Sequence, residues 1–337
     1  MYRIAIDEVP EWTRLGMSVF NENGRPLVKA GAVLVPRTLD HIRLRGYCRL
    51  VLLDEGEEIQ SEFLAAETKA IVLEALGPAV RFLLETWRSQ RGIKPGDGEK
   101  LDWALRAAVR TFVQHCKRDF ADGTRLTLPG NVRRGGEQWL DDAVHAAAVA
   151  VYVGVQFAFD DSTLARLAHG MLLRDIGMLI LPEEVRETPG ALSPEAWEVV
   201  RRHPVLAYET LCTLDWMDEA ARLVVLQHHE RQNGRGYPYG LAGLHRVERS
   251  RRDRLDRELT LHVSDVAAVA DIFNAMTADR PHRPSRACAE VREALTTMAG
   301  DALNEEVVRS LLESWEPPSE ERPAPRIPAT DGISGAA

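Results

Sequence analysis

Two adjacent histidines, His228 and His229, follow the apolar run Leu223 to Leu226. Acidic residues interrupt two further apolar stretches: Asp175 after Leu172-Leu173-Arg174, and Asp271 within Val266-Ala267-Ala268-Val269-Ala270-Asp271-Ile272-Phe273. An aspartate in an apolar helix is expensive to bury unless it is paired or bound to a metal. Two consecutive histidines at the end of a buried helix are hard to explain as surface residues, although satisfied core groups would also fit. Aspartates and histidines recurring on separate helices are what a carboxylate-and-imidazole metal site needs. The histidines then run into Glu230-Arg231-Gln232-Asn233-Gly234-Arg235-Gly236-Tyr237-Pro238. Glycines in such a loop let the backbone turn sharply and approach a ligand closely.

Around this core the periodicity predicts a mainly α chain with a small N-terminal α+β module over residues 1–60. Gly16 to Phe20, Pro26-Leu27-Val28, Ala32 to Val35 and Leu50 to Leu53 read as short strands, with a turn at Asn21-Glu22-Asn23-Gly24. Thr38 to Leu44 fits a short helix ending at Gly46. Residues 61–135 read as a helical linker region. Phe63 to Leu84 is one long amphipathic helix or a broken pair, Leu101 to Phe120 is a second helix, and Arg91 to Gly98 is the loop between them. Residues 136–315 read as helices joined by turns, and the Pro-, Ser- and Gly-rich residues 316–337 as a disordered tail.

Composition excludes several classes. A net charge of -9 argues against binding a nucleic-acid polymer, which calls for a basic surface, but not against a small anionic ligand in a locally positive pocket. No segment reaches the roughly 18 apolar residues of a membrane span, and Met1 to Trp12 has neither the basic start nor the apolar run of a secretory signal. Cys48, Cys116, Cys212 and Cys288 form no CxxC pair and read as free thiols in a reducing compartment, which points to the cytoplasm.

Further along the chain, Asp141 and His145 sit four apart on one helix face, a spacing shared by ligand pairs and by ordinary solvated faces. His203-Pro204 follows the capping pattern Ser193-Pro194-Glu195. Thr277-Ala278-Asp279-Arg280-Pro281-His282-Arg283 closes the series. Taken in order over about residues 139 to 300, these segments resemble the HD-GYP family, metal-dependent phosphodiesterases that open the bacterial second messenger cyclic di-GMP. The resemblance implies an HD-type helical bundle. It makes Asp141, His145, Asp175, His203, His228, His229 and Asp271 the metal ligands, with Asp175 also catalytic through its hold on the attacking water. It assigns substrate contacts to Gly236, Tyr237, Pro238, Arg280, Arg283 and, by charge, Arg174. The N-terminal module, with Gly31 to Leu34, is similar to a region that often precedes such domains.

The chain departs from the family pattern at four places: Arg174 for His, Met178 for Lys, Asn233 for Asp and Asn274 for Asp. A guanidinium stays protonated and is a poor cation ligand. Arg174 would repel a metal at the site the histidine served, standing in for it by pairing with Asp175 or a phosphate, or else it forms a structural ion pair. The ligand set that needs this histidine is damaged, whereas Asp175, His203, His228 and His229 form a complete one. The expectation is one tightly held divalent transition ion (Fe, Mn or similar), or two with the first weakened. Arg280 and Arg283 suit phosphate clamps or solvated helix-end charges. Tyr237 and Tyr239 suit guanine stacking or loop packing. The cluster from Arg246 to Arg257, interleaved with acids, reads as a solvated insertion.

The resulting function is hydrolysis of the phosphodiester of cyclic di-GMP, with weakened or altered activity. The rival is a catalytically degenerate module that binds cyclic di-GMP or a protein partner as a signalling regulator, favoured by Arg174, Met178 and Asn233. Intact His203, His228, His229, Asp271 and the Gly-Tyr-Pro loop favour catalysis. Another phosphorylated nucleotide is a third substrate class the HD fold admits. A cyclic dinucleotide is the expected ligand, with room for a protein signalling partner and a homodimer.

Overall fold

The protein is described by a computed structural model covering residues 2–21, 25–53, 56, 64–89, 99–121, 126, 132–133, 138–186, 192–214, 217–243, 263–278 and 285–315. The N-terminal module contains β1 (Tyr2–Ala5), β2 (Val19–Phe20), β3 (Pro26–Val28), α1 (Pro36–Leu44) and β4 (Tyr47–Leu52). β1 pairs antiparallel with β4, which also pairs with β5 (Val132–Arg133); β2 and β3 form a separate antiparallel pair. Ile4, Leu15, Leu34, Ile42, Leu50 and Leu52 fill the core of this module. α1 starts on Pro36, whose fixed φ suits a first helical position, and the chain leaves it through Gly46 at φ 80°. The expected strand at Ala32 to Val35 is only a bridge, Arg14 opposite Val33, because Pro36 opens α1 at once. β1 was not expected; four residues give too little alternation to read.

The remaining helices are α2 (Ala66–Ser89), α3 (Glu99–Ala121), α4 (Gln138–Gln156), α5 (Asp161–Leu173), α6 (Glu183–Arg186), α7 (Pro194–Val200), α8 (His203–Cys212), α9 (Glu219–Gln227), α10 (Val263–Thr277), α11 (Cys288–Met298) and α12 (Glu305–Ser314). α2 is a single helix despite Pro78 inside it. α2 and α3 share one apolar core with the helices that follow. α10 is apolar nearly all round and lies at the centre, as such a helix must. Its Phe273 meets Trp315 edge-on at 5.1 Å between ring centroids. Ala146, Ala147, Ala148 and Ala150 of α4 are fully buried, and their small side chains let α5 and α10 lie close against it. Burying each large apolar side chain here contributes roughly 1.5–3 kcal/mol.

Side-chain caps fix where α5, α7 and α9 begin. Asp160 accepts from Thr163 N at 2.7 Å to start α5, Ser193 from Ala196 N at 3.2 Å to start α7, and Asp218 from Ala220 N at 2.9 Å to start α9. Among the described residues no helix is long and apolar enough to cross a membrane. The expected loop at Arg91 to Gly98, the basic cluster from Arg246 to Arg257 and the expected tail at 316–337 lie outside the described residues.

Candidate metal centre

Three helix ends and the middle of a fourth helix converge. α5 stops at Leu173, so Arg174 and Asp175 occupy a turn rather than a helix interior, and a 3-10 turn over Ile176–Ile180 follows. The chain turns there because Gly177 packs against the first residue of α8. A Cβ on Gly177 would overlap the His203 carbonyl oxygen and lie 2.8 Å from its carbon. His203 opens α8, His228 and His229 come directly after α9, and Asp271 projects from α10.

One ligand atom from each of Asp175, His203, His228 and His229 lies within 4.8 Å of all the others. His203 Nδ1 donates to the Val200 carbonyl at 2.8 Å, and His228 Nδ1 donates to the Val225 carbonyl at 2.7 Å. Both imidazoles therefore present an Nε2 without a proton, and these two nitrogens face each other at 3.4 Å. Asp175 Oδ1 is 3.5 Å from the first and 3.8 Å from the second. Two lone pairs and a carboxylate oxygen pointed at one spot are mutually repulsive unless a cation lies between them. This donor set fits a divalent transition metal, and the carbonyl partners fix each ring's tautomer and aim as they do in metal sites.

The protonation states agree. Burial pushes the His203 imidazole down to about 4 against the opposing pull of Asp175, and burial with two neighbouring imidazoles holds His229 well below its usual range. Burial would raise Asp175, but the Arg174 guanidinium beside it keeps the carboxyl well below the usual carboxylate range. The His203 and His229 rings are thus neutral and the Asp175 carboxylate ionised, the states that bind metal. Asp175 and His229 are the open side of the cluster, with side chains 30% and 18% exposed.

Arg174 is only 1% exposed. Its Nε donates to Asp271 Oδ1 at 2.8 Å, its Nη2 lies 3.2 Å from Asp175 Oδ2, and its Nη1 donates to the Met171 carbonyl at 3.0 Å. Asp271 also lies 3.7 Å from His229 Nδ1. His145 donates from Nδ1 to Asn274 Oδ1 at 2.8 Å, and Asp141 pairs with Lys69 at 2.6 Å. The structure thus brings Asp175, His203, His228 and His229 together, puts Asp271 at their edge through Arg174, and engages His145 and Asp141 with other partners.

Tyr237 stacks on His229, ring centroids 4.5 Å apart, with Arg201 over its ring at 5.3 Å and Trp197 edge-on at 6.3 Å. Its peptide bond to Pro238 is cis. Gly236 admits no side chain, since a Cβ there would lie 2.5 Å from the His229 carbonyl oxygen and 2.6 Å from the Glu230 carbonyl carbon. Sequence reading passed over Glu230. Its fully buried carboxylate accepts from Tyr239 N and Leu241 N, both at 2.8 Å, so it ties the loop to the end of the histidine pair. Its place in His-His-Glu was the only signal, and nothing local in the sequence gives its partners nine and eleven residues on. Arg280 and Arg283 lie outside the described residues.

Residues 130–245 match the family model described as HD domain. The cyclic di-GMP phosphodiesterase response regulator RpfG of Xanthomonas campestris pv. campestris is 29% identical over 162 residues, 48% of this chain and 38% of its own length. A cyclic di-GMP phosphodiesterase of Thermotoga maritima is 29% identical over 141 residues, 42% of this chain and 34% of its own. The 3'3'-cGAMP-specific phosphodiesterase 3 of Vibrio cholerae is 31% identical over 159 residues, 46% of this chain and 31% of its own. The match thus spans 31% to 38% of the length of these curated relatives. The solved structure of Bd1817, a HDG"Y"P protein from Bdellovibrio bacteriovorus, shares the fold with a TM-score of 0.51 at 12% identity, over 92% of this chain and 98% of that one.

Proposed function

Because this chain belongs to the HD-GYP family, we propose that it is a metal-dependent phosphodiesterase of the cytoplasm that hydrolyses cyclic di-GMP. The observation that carries the reading is the pair of unprotonated Nε2 atoms of His203 and His228, 3.4 Å apart beside Asp175. Burial holds the His203 imidazole near 4, so at neutral pH its Nε2 offers a lone pair, and a metal ion is the cation it suits. Fe, Mn or a similar ion suits the set. When bound it would polarise a phosphoryl oxygen and make a nearby water more acidic.

The chain's own residues do the rest. Asp175 divides its carboxylate, Oδ1 toward the ring nitrogens and Oδ2 toward Arg174, so it stays ionised and fixed while water is oriented. Water adds to phosphorus, one P–O ester bond breaks, and the departing ribose oxygen takes up a proton. Gly236 lets the backbone approach closely, Tyr237 offers a flat wall held by His229 and Arg201, and Arg280 and Arg283 clamp phosphate. Four scattered cysteines with no CxxC pair suit a reducing compartment. Relatives named for cyclic di-GMP and for 3'3'-cGAMP support a cyclic dinucleotide as the substrate class.

Turnover of cyclic di-GMP by protein loaded with Mn(II) or Fe(II), with 3'3'-cGAMP as comparator, tests the reading. Hydrolysis is expected, abolished by a chelator and reduced at least about 100-fold in His228→Ala. Cyclic di-GMP bound but uncleaved by metal-loaded protein would overturn it.

A further inference from the structure

Arg174 is the largest fully buried side chain of the described residues. A guanidinium cannot shed its charge in a protein, so burying it requires counter-charge on every side that lacks water. Two carboxylates supply it, Asp271 from α10 at 2.8 Å and Asp175 from the neighbouring turn at 3.2 Å. A third, Asp142 of α4, lies within electrostatic reach. The Nη1 donor that faces no carboxylate is taken by the Met171 carbonyl.

The charge balance limits what else the centre can hold. Asp175 and Asp271 bring two negative charges and Arg174 one positive, while His203 and His228, each donating its Nδ1–H to a backbone carbonyl, meet the site through a bare Nε2. One divalent ion on Asp175, His203, His228 and His229 turns the sum of these groups from one net negative charge to one net positive, and a second ion would raise it to three. A second, placed against Asp271, would sit beside a guanidinium already hydrogen-bonded to that carboxylate. At such separations two like charges in a water-poor interior repel strongly.

We propose that Arg174 is a built-in cation taking the place of a second metal ion, so that the centre holds one ion and Asp271 serves Arg174 instead of metal. The inference rests on the metal-dependent reading of the same cluster. It makes Arg174 a positioning residue: it holds Asp175 ionised and aimed without itself touching solvent. Restoring an imidazole at this position removes the charge, frees Asp271 and returns a donor beside it.

Metal content of the full chain, purified without chelator, saturated with Mn(II) and desalted, tests the proposal without reference to turnover. Wild type should carry one ion per chain and Arg174→His two, a doubling accompanied by the spin-coupled signal of a Mn(II) pair. Asp271→Asn should still carry one, which keeps the test decisive if the arginine variant fails to fold. Two ions in wild type, one in folded Arg174→His, or none in folded Asp271→Asn would each overturn the proposal while leaving a metal enzyme in place. No ion in wild type would instead remove the metal-dependent reading, and this inference with it.

Discussion

At the scale of single residues, the clearest energetic signature outside the metal cluster belongs to His169. It lies on α5, 6% exposed, where burial and then the charge of Arg106 push its imidazole down to about 4. In the unfolded chain the same group titrates near 6.5. Between those values the unfolded chain binds a proton that the folded chain refuses, so stability falls as pH drops from about 6.5 toward 4 and is unaffected by this group above 6.5. His169→Gln removes that proton from the balance. Urea midpoints of wild type and variant, both metal-free, should therefore diverge in their pH dependence, with the variant losing less stability between pH 7 and 5. Equal losses in the two proteins would mean that His169 is protonated in the folded state. His203 and His229 keep some slope in both, because the same burial depresses them.

At the scale of elements, the centre depends on how the 3-10 turn after α5 meets the start of α8. Gly177 is the contact, and the space for even one methyl group is taken by the His203 backbone. Gly177→Ala should leave α5, α9 and their histidine pair in place but move the first turn of α8. His203 would then no longer face His228, and Mn(II) affinity should fall about 10-fold to 100-fold, the range for removing a group that orients a ligand. Titration with Mn(II) at unchanged helical content measures this, and an unaltered dissociation constant would mean that the turn can yield. Long helices such as α2 and α3 were legible because apolar residues recur at helical spacing over more than 20 positions. The turn was not, because Leu172, Leu173, Ile176 and Leu179 continue a helical pattern that only tertiary packing at Gly177 interrupts.

At the scale of the molecule, composition and order of residues made a mainly helical chain and a His/Asp cluster readable. Pairings such as Lys69 with Asp141 and Arg174 with Asp271 join positions far apart, where no local signal exists. The same distance separates two apolar cores. One lies in the N-terminal module around Leu15, Leu34 and Leu50; the other is the helical core that contains α5, α9 and α10. Between them run the β4–β5 pairing, an Arg25–Glu74 ion pair at 3.7 Å with both side chains exposed, and Lys69 over the Phe20 ring at 4.9 Å. An exposed pair of that kind contributes about 0–1 kcal/mol, and the cation–π contact about as much, so neither of these two contacts binds the cores into one cooperative unit. A metal that binds only the folded helical core stabilises that core by about 2.7 kcal/mol when present at 100 times its dissociation constant. For a unit of this size that corresponds to roughly 5–10 °C. Calorimetry should accordingly resolve two transitions, with saturating Mn(II) raising the larger one by that amount and leaving the smaller where it was. A single transition that moves as a whole would instead mean that the module reports directly on the metal centre through β4 and β5, which would make the N-terminal sheet part of the same energetic unit as the histidines.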